Sequence, residues 1–448
     1  MRDIALLRLT QHSVTFELCG PQGILRPSEV LADFKIFADD RPLYHGKVVV
    51  SNLINSGTAT ICEATLQDKP LDLSLLRADR PEKAVASSFS TFLVGWQKFC
   101  GILPAYKLAV AEMQSFLRDL RLWMDQIELG ISELNPIHRL EVERSIVWEL
   151  VERTKPIVGA MFERFEFVAA SVPKGLVPAH QEFCRRQLHP WLLRSPFMHR
   201  IYTKPLGYAG DYEMVNMILR DPCEGGSLFA KLLNVHIMQQ VPAEAHRNRI
   251  VFLLQRLIEE TNRSVQKRRI CRIFNLGCGP AMEVQNFLGH VLSQHADFTL
   301  LDASDETLRD TGQVLEQVKY KHGRGTPIKL ITKSLQQLLK QRNTFKPERG
   351  YDFVYSAGLF DYLNDRIGQA IIETAYDWLV PGGLLLITNV DPVNPIRNIM
   401  EHIYEWHLIY RNGSELAALA AGLPEEANVS VVAEPTSANV LLEVRKPL

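Results

Sequence analysis

No two cysteines in this 448-residue chain form a C-x-x-C pair; the seven, Cys19, Cys62, Cys100, Cys184, Cys223, Cys271 and Cys278, are scattered. Such spacing implies neither a zinc site nor a disulfide framework, and reduced thiols of a cytoplasm fit best. Excess charge is missing too. Fifty Lys and Arg oppose 51 Asp and Glu, for a formal net charge of -1, so the bulk electrostatics favour neither nucleic acid nor an anionic membrane. No apolar run approaches membrane-spanning length, and the N-terminal "MRDIALLRLTQHS" lacks a long apolar core and a small-residue cleavage site. These absences lead to the expectation of a cytoplasmic protein without a membrane span. Internal repeats and low-complexity segments are absent as well. What remains is 46% hydrophobic and 23% charged, the balance of a globular chain with a large core, and the length suits two or three domains.

The hydrophobic periodicity changes along the chain. In residues 1–70, "SVTFELCG" alternates Val14, Phe16 and Leu18 to one side, and "YHGKVVVSNLINSGTATICEATL" reads as two strands around an Asn-Ser-Gly turn. A small antiparallel β-barrel is expected there. Residues 85–200 take a helical period, with Val110, Met113, Leu117 and Leu120 on one stripe of "LAVAEMQSFLRDL"; this is a helical domain or lid whose stripe is explained by core packing. A third segment, 201–448, opens on the loop "KPLGYAGDYE". From about residue 270 strands and helices alternate: "CRIFNLG", a helix with Val284, Phe287, Leu288, Val291 and Leu292 on one face, "DFTLLDAS", a helix near 305–321, "IKLITKS", "YDFVYSAGL", a helix near 365–379, then "PGG" leading into "LLLITNV". That order predicts a parallel sheet with helices on both faces. "NVSVVAEPT" and "NVLLEVRKP" close the chain as an antiparallel hairpin.

The turn in "IFNLGCGPAMEVQNFL" has Gly277 and Gly279 at the first two positions of a dinucleotide fingerprint but Met282 at the third, which argues against NAD. A ligand without a phosphate needs only close backbone approach, and the two glycines supply it. S-adenosylmethionine is such a ligand. Its ribose asks for an acid at the end of the next strand, and Asp302, 25 residues beyond Gly277, is placed to accept both hydroxyls.

With Asp302, "LVPGGLLLITNV" and the closing hairpin, residues 270–448 resemble a class I S-adenosylmethionine-dependent methyltransferase. The resemblance implies a Rossmann-like α/β fold with a seven-stranded, mainly parallel sheet. It also implies roles: Gly277, Cys278, Gly279 and Ala281 at the methionine end, with Ala281 where the family often has a third glycine; Asp302 and Ala303 about the ribose; Ser334, where the family frequently has Asp, and Leu335 by the adenine; and Ser356, Ala357 and Gly358 facing the sulfonium and the methyl acceptor.

An amine or hydroxyl acceptor needs a base, whereas a carboxylate is already ionised at neutral pH. Near the expected acceptor position stand "SAGLFDYLND" and "TNVDPVNPIRNIMEHIYEWHLIYRNGSEL". His402 and His407, five apart, do not share a helix face and read as packing or surface histidines. Arg411 has two readings, a bidentate clamp on a carboxylate or a solvated charge at a helix end. Trp406 and Tyr410 would wall an apolar pocket or pack in the core. Asp361 and Tyr362 follow the fourth strand of the α/β region directly and are better placed, with helix capping the alternative for Asp361. In "RIYTKPLGYAGDYEMV", Tyr208 and Asp211 between glycines mark either an ordered loop or a lid over the site.

That loop, with "LHPWLLRSPFMHR", "PAEAHRNRI" and "EWHLIYRNGSEL", resembles over residues 180–448 a bacterial family that synthesises the methyl ester of a 3-hydroxy fatty acid, such as 3-hydroxypalmitate, as a cell-density (quorum-sensing) signal. The resemblance implies a fatty acid carboxylate as acceptor and the helical segment as its acyl-chain pocket. The N-terminal segment is similar to a PilZ domain but lacks its R-x-x-x-R and [DN]-x-S-x-x-G motifs, and "RADR" at 77–80 has the wrong spacing; a scaffold or dimerisation module is expected. Two rival readings remain, methylation of a hydroxyl or amine on another small molecule, and a regulator that senses cofactor or nucleotide without turnover.

Overall fold

The structure, a computed structural model, describes residues 5–10, 13–19, 25, 28–38, 41–55, 59–67, 89–90, 93, 101–341, 345 and 349–448. It divides into two compact units: Met1–Ala209 with Asp221–Gln239 and Pro395–His407, and Gly210–Arg220 with Gln240–Asn394 and Leu408–Leu448. "RADR", Cys100 and the tip of the Asn-Ser-Gly turn lie outside the described residues.

The first unit begins with five antiparallel strands, β1 Ala5–Leu9, β2 Ser13–Cys19, β3 Val30–Ala38, β4 Arg41–Asn55 and β5 Ala59–Leu66. Their order is β1-β2-β5-β4-β3. The alternation in β2 has the expected sense, since Val14 and Phe16 join Val48, Val50, Cys62 and Ala64 in one core. Closure into a barrel is not seen: β1 and β3 are the two edges of an open sheet among the described residues.

Helices α1 Pro104–Gly130, α2 Pro136–Ala170, α3 Val177–Leu192 and α4 Pro196–Thr203 follow. Proline in the first turn starts each of them, where its missing N–H costs no hydrogen bond. The stripe read from sequence faces inward, with Val110, Met113 and Leu117 buried. Two segments expected in the α/β part belong to this unit. One carries α6, Leu228–Met238, and the other α12, Arg397–Ile403. The Glu166 carboxylate fixes α12 by accepting from Asn398 N at 2.9 Å and Ile399 N at 2.8 Å.

Two of the quoted motifs meet at Glu405 of this unit. Lys204 of "KPLGYAG" donates to the Glu405 carbonyl at 2.7 Å and Ser28 donates to the same oxygen at 3.0 Å. Gln67 donates to its carboxylate at 2.8 Å, and Arg185 pairs with it. Burial works against this carboxylate, but Arg185 and Lys204 prevail and hold it below its ordinary value. Desolvation pushes Lys204 down to about 8. The second residue after α12 explains a departure from the sequence reading. Glu405 has φ +51, which no helix continues through, so Trp406, His407, Tyr410 and Arg411 do not share a helix.

The second unit holds a seven-stranded sheet ordered β11-β12-β10-β9-β6-β7-β8. Its strands are β6 Cys271–Leu276, β7 Ala296–Asp302, β8 Ile328–Thr332, β9 Tyr351–Ser356, β10 Leu379–Val390, β11 Asn428–Ala433 and β12 Asn439–Arg445. β8, β7, β6, β9 and β10 are parallel, and β12 runs antiparallel to both β10 and β11. This is the Rossmann-like, mainly parallel sheet with a closing hairpin. The central strands carry near-continuous apolar runs, as strands covered on both faces must; every residue of β9 is buried.

Helices α5 Tyr212–Leu219, α7 Val241–Gln266, α8 Met282–Leu288, α9 Asp305–His322, α10 Leu335–Lys340, α11 Asp365–Trp378 and α13 Gly413–Ala418 complete the unit. The helix after the glycine turn is shorter than its apolar pattern suggested. It ends at Leu288, His290 is extended and its ring accepts from Leu292 N at 3.2 Å, and Val291 is exposed. Among the described residues no helix is long and apolar enough to cross a membrane.

Candidate active site

The chain leaves β6 toward β7 and β8 on one side and later crosses back to β9 on the other. Connections that diverge in this way open a crevice outside the carboxyl ends of β6 and β9, the usual ligand position of open α/β sheets. Gly277 follows β6 and Gly358 follows β9, and a Cβ on Gly277 would lie 3.3 Å from the side chain of Leu359.

The turn after β6 is fixed by its backbone. Gly277 N and Cys278 N donate to Leu301 O at 2.8 and 3.0 Å. Gly277, Gly279 and Ala281 have φ +70, +52 and +48. The first two make the left-handed geometry inexpensive. Ala281, considered in sequence only as a bulkier substitute for a third glycine, occupies that region with a Cβ, at a cost of about 1 kcal/mol. Space for a Cβ at Gly279 is open, so the backbone there can be approached closely. Cys278 is buried, and burial raises its thiol well above the ordinary value, which makes it unreactive.

Asp302 ends β7 with its carboxylate at the same turn. One oxygen accepts from Gly279 N at 3.1 Å and the other from Ser304 N at 3.0 Å. A carboxylate oxygen has two lone-pair sites, so each retains capacity for one further donor. Thr311 donates to Gly279 O at 2.8 Å and locks the loop from the other side. Ala303 follows Asp302 and is exposed.

Ser334 is the N-cap of α10 in a capping box with Gln337, and Leu335 is buried behind it. Ser356 is buried and donates to Leu276 O at 2.8 Å, tying β9 to β6. Ala357 packs against the core of the sheet. Gly358 N donates to Thr388 Oγ1 at 3.0 Å.

Two of the acceptor-side residues follow β9 directly. Asp361 is buried and its carboxylate accepts from Val390 N at 2.6 Å. It therefore clamps the end of β10 and caps no helix. Burial raises it, and the Val390 bond, Arg249 and Arg411 oppose that rise. Tyr362 is also buried, and a Cβ on Gly210 would come within 2.6 Å of its hydroxyl; glycine is required there. Asp211 beside it caps α5, accepting from Met214 N at 2.8 Å.

Tyr208 is half-buried and Trp406 buried, both in the first unit, and Tyr410 is half-buried in the second. Arg411 is buried and has all five N–H groups engaged. It donates to Asp365 at 3.0 and 2.7 Å, Phe360 O at 2.9 Å, Asn389 Oδ1 at 2.8 Å and Leu363 O at 2.6 Å. With five donors in all, none is left for a substrate carboxylate.

His402 and His407 belong to the first unit. The His402 ring meets the Tyr106 hydroxyl at 2.9 Å. Desolvation pushes His402 down to about 3 and His407 to about 4. Both are then neutral and weakly basic at pH 7. The stability these neutral rings contribute is fully present above the unfolded value of about 6.5 and is lost as pH falls through it toward the folded values. Their imidazole C–H resonances should stay fixed between pH 8 and 5.5 by NMR; a titration centred near pH 6.5 would overturn the assignment.

Sequence reasoning missed Arg249 and Glu283. Glu283, on α8 under the turn, is buried and accepts from Tyr355 Oη at 2.6 Å and Asn275 Nδ2 at 3.1 Å. Burial raises its carboxyl. Arg249 sits on α7 with Nη2 at 3.2 Å and Nη1 at 3.4 Å from the Cβ position of Gly358. "PAEAHRNRI" gave a motif signal there, but the helical pattern alone does not reveal a buried cation.

The helical segment expected to hold an acyl chain encloses a cavity of about 40 Å³ lined by Met113, Phe116, Leu120, Phe162, Met198 and Leu233 among others. It is apolar and too small for a long chain unless its methionine and phenylalanine side chains move aside.

No family model matches the chain, and no curated protein sequence matches it. Among solved structures, the chain is similar to one described as a possible exported protein from Bordetella parapertussis, at 17% identity over 58% of this chain and 88% of that one, TM-score 0.42. Magnesium protoporphyrin IX methyltransferase from Synechocystis PCC 6803, solved with bound SAH, aligns at 12% identity over 56% and 98% of the two chains, TM-score 0.38. The N-methyltransferase NodS from Bradyrhizobium japonicum WM9, in complex with S-adenosyl-L-homocysteine, aligns at 14% over 53% and 98%, TM-score 0.32. The chain's own geometry supplies a switch-point crevice with an approachable backbone turn, a carboxylate with two open acceptor sites and a buried guanidinium.

Proposed function

We propose that the chain is an S-adenosylmethionine-dependent O-methyltransferase that esterifies the carboxyl group of a 3-hydroxy fatty acid, yielding a methyl ester used as a cell-density signal. The observation that carries the cofactor is Asp302, whose two oxygens each keep an acceptor site beside the open backbone of Gly279. A ribose diol fits that pair, and the absence of a third glycine in the turn disfavours a pyrophosphate. When bound, S-adenosylmethionine supplies an electrophilic methyl carbon.

The chain's own part is positioning. Gly277, Gly279 and Ala281 would bring the main chain against the methionine portion, Asp302 and Ala303 would hold the ribose, Ser334 and Leu335 would flank the adenine, and Gly358 would border the methyl. Orientation and exclusion of water are the main contributions an enzyme makes to an in-line displacement. A carboxylate acceptor is already ionised at neutral pH, so receiving the methyl group that the cofactor would supply requires the chain to remove no proton. His246, the histidine nearest Arg249 on α7, is pushed by burial to about 3 and is a poor general base, which supports an acceptor that needs none. The fatty acid follows from the motifs of residues 180–448, and the N-terminal sheet serves as scaffold through Ser28 and Gln67.

Purified protein incubated with methyl-labelled S-adenosylmethionine and a chain-length series of 3-hydroxy fatty acids should form methyl esters with a clear length optimum, identified by mass. S-adenosylhomocysteine binding without ester from any acid would sink the fatty acid reading, and no cofactor binding would sink the methyltransferase reading altogether.

A further inference from the structure

Arg249 is 6% exposed. Its Nη1 has no hydrogen-bond partner, and among the described residues no carboxylate lies within ion-pair distance of its guanidinium. The acids whose charges reach it are committed elsewhere. Asp361 accepts from Val390 N at 2.6 Å, Glu283 from Tyr355 and Asn275 at 2.6 and 3.1 Å, and Glu434 from Asn248 and Thr436 N at 2.8 Å each. An arginine cannot shed its proton, and a buried, unpaired charge costs several kcal/mol. A fold that keeps one beside the crevice implies an anion brought from outside. The location narrows its chemistry. The guanidinium lies against Gly358, where a side chain would meet Nη2 at 3.2 Å, so the glycine makes room for a buried cation at the carboxyl end of β9. Planar, bidentate partners of arginine are carboxylates and phosphates, and neither the acceptor nor the cofactor proposed above carries a phosphate.

We propose that Arg249 is the carboxylate-binding residue of the crevice, forming a two-pronged ion pair with a carboxylate that enters with the ligands. This rests on the methyltransferase reading, which offers two sources of that group, the methionyl carboxylate of the cofactor and the acid of the acceptor. In either case Arg249 fixes orientation and takes no proton.

Calorimetry on the full chain separates them. If the cofactor is the source, wild type should bind S-adenosylhomocysteine about 10²-fold more tightly than its decarboxylated analogue, and Arg249→Gln should erase that difference while binding the analogue as before. If the acceptor is the source, Arg249→Gln should keep its S-adenosylhomocysteine affinity but bind 3-hydroxyhexadecanoate, in the presence of that product, about 10²-fold more weakly, with hexadecane-1,3-diol unaffected. Arg249→Lys, which keeps the charge but not the fork, should fall between. The inference is overturned if a folded Arg249→Gln protein binds both carboxylate ligands within about threefold of wild type. If that variant does not fold, the wild-type comparisons decide: no preference for either carboxylate over its uncharged counterpart overturns the inference. Failure of the wild type to bind S-adenosylhomocysteine at all removes the methyltransferase reading instead.

Discussion

Replacing Asp302 by Asn should raise the dissociation constant for S-adenosylhomocysteine by on the order of 10²-fold, with the sheet intact. Two ribose hydroxyls donating to an ionised carboxylate are charge-assisted bonds of about 1.5–3 kcal/mol each, and about 2.8 kcal/mol corresponds to a factor of 10². Asparagine keeps one acceptor oxygen and turns an N–H₂ toward the other partner. It must also give up one backbone bond, since the present carboxylate accepts from both Gly279 N and Ser304 N, so about 1 kcal/mol of stability should go with it. Calorimetric titration measures the first effect and a denaturant midpoint the second. Affinity within threefold of wild type in the folded variant would remove Asp302 from the ribose.

Arg411→Met should lower the thermal midpoint by about 10 °C without altering the affinity of the folded enzyme for the acid substrate. The side chain is 3% exposed while that of Asp365 is 71% exposed, so the ion pair itself contributes little. The large effect comes from Phe360 O, Leu363 O and Asn389 Oδ1, which Arg411 serves in the interior. Leaving buried acceptors unsatisfied costs about 1–3 kcal/mol each, and the apolar replacement recovers part of that. A net loss of about 3–4 kcal/mol corresponds to roughly 10 °C in a domain of this size. A weakened acid affinity with an unchanged midpoint would instead restore Arg411 as a substrate clamp.

Much of the second unit was legible because its signals are local. Apolar runs such as "IFNL" and "LLLITNV" mark buried parallel strands, and Gly277 and Gly279 mark a turn whose torsions exclude most other residues. Asp302 could be placed because the strand that carries it ends one βαβ unit later. The closing hairpin was visible for the same reason, although Glu434, which accepts from Thr436 N and Asn439 N to shape its turn at 2.8 and 3.1 Å, was not. The reading failed where one residue interrupts a period. Val291 fits the apolar stripe of α8, yet extended His290 precedes it; Trp406 and Tyr410 have helical spacing, yet Glu405 reverses the backbone at φ +51.

The alternating α/β order, the glycine turn and the acid at the end of β7 are each written in neighbouring residues through torsion, periodicity and chain reach. The state of the charged groups is set by long-range packing. Arg249 and Arg411 are both arginines in polar surroundings, and nothing local distinguishes them. One is saturated by carbonyls from residues 360, 363 and 389, and the other is buried against Gly358 without a partner. Whether a buried charge holds the fold or awaits a ligand depends on which distant groups the fold brings within 3 Å of it, and only the packed chain fixes that.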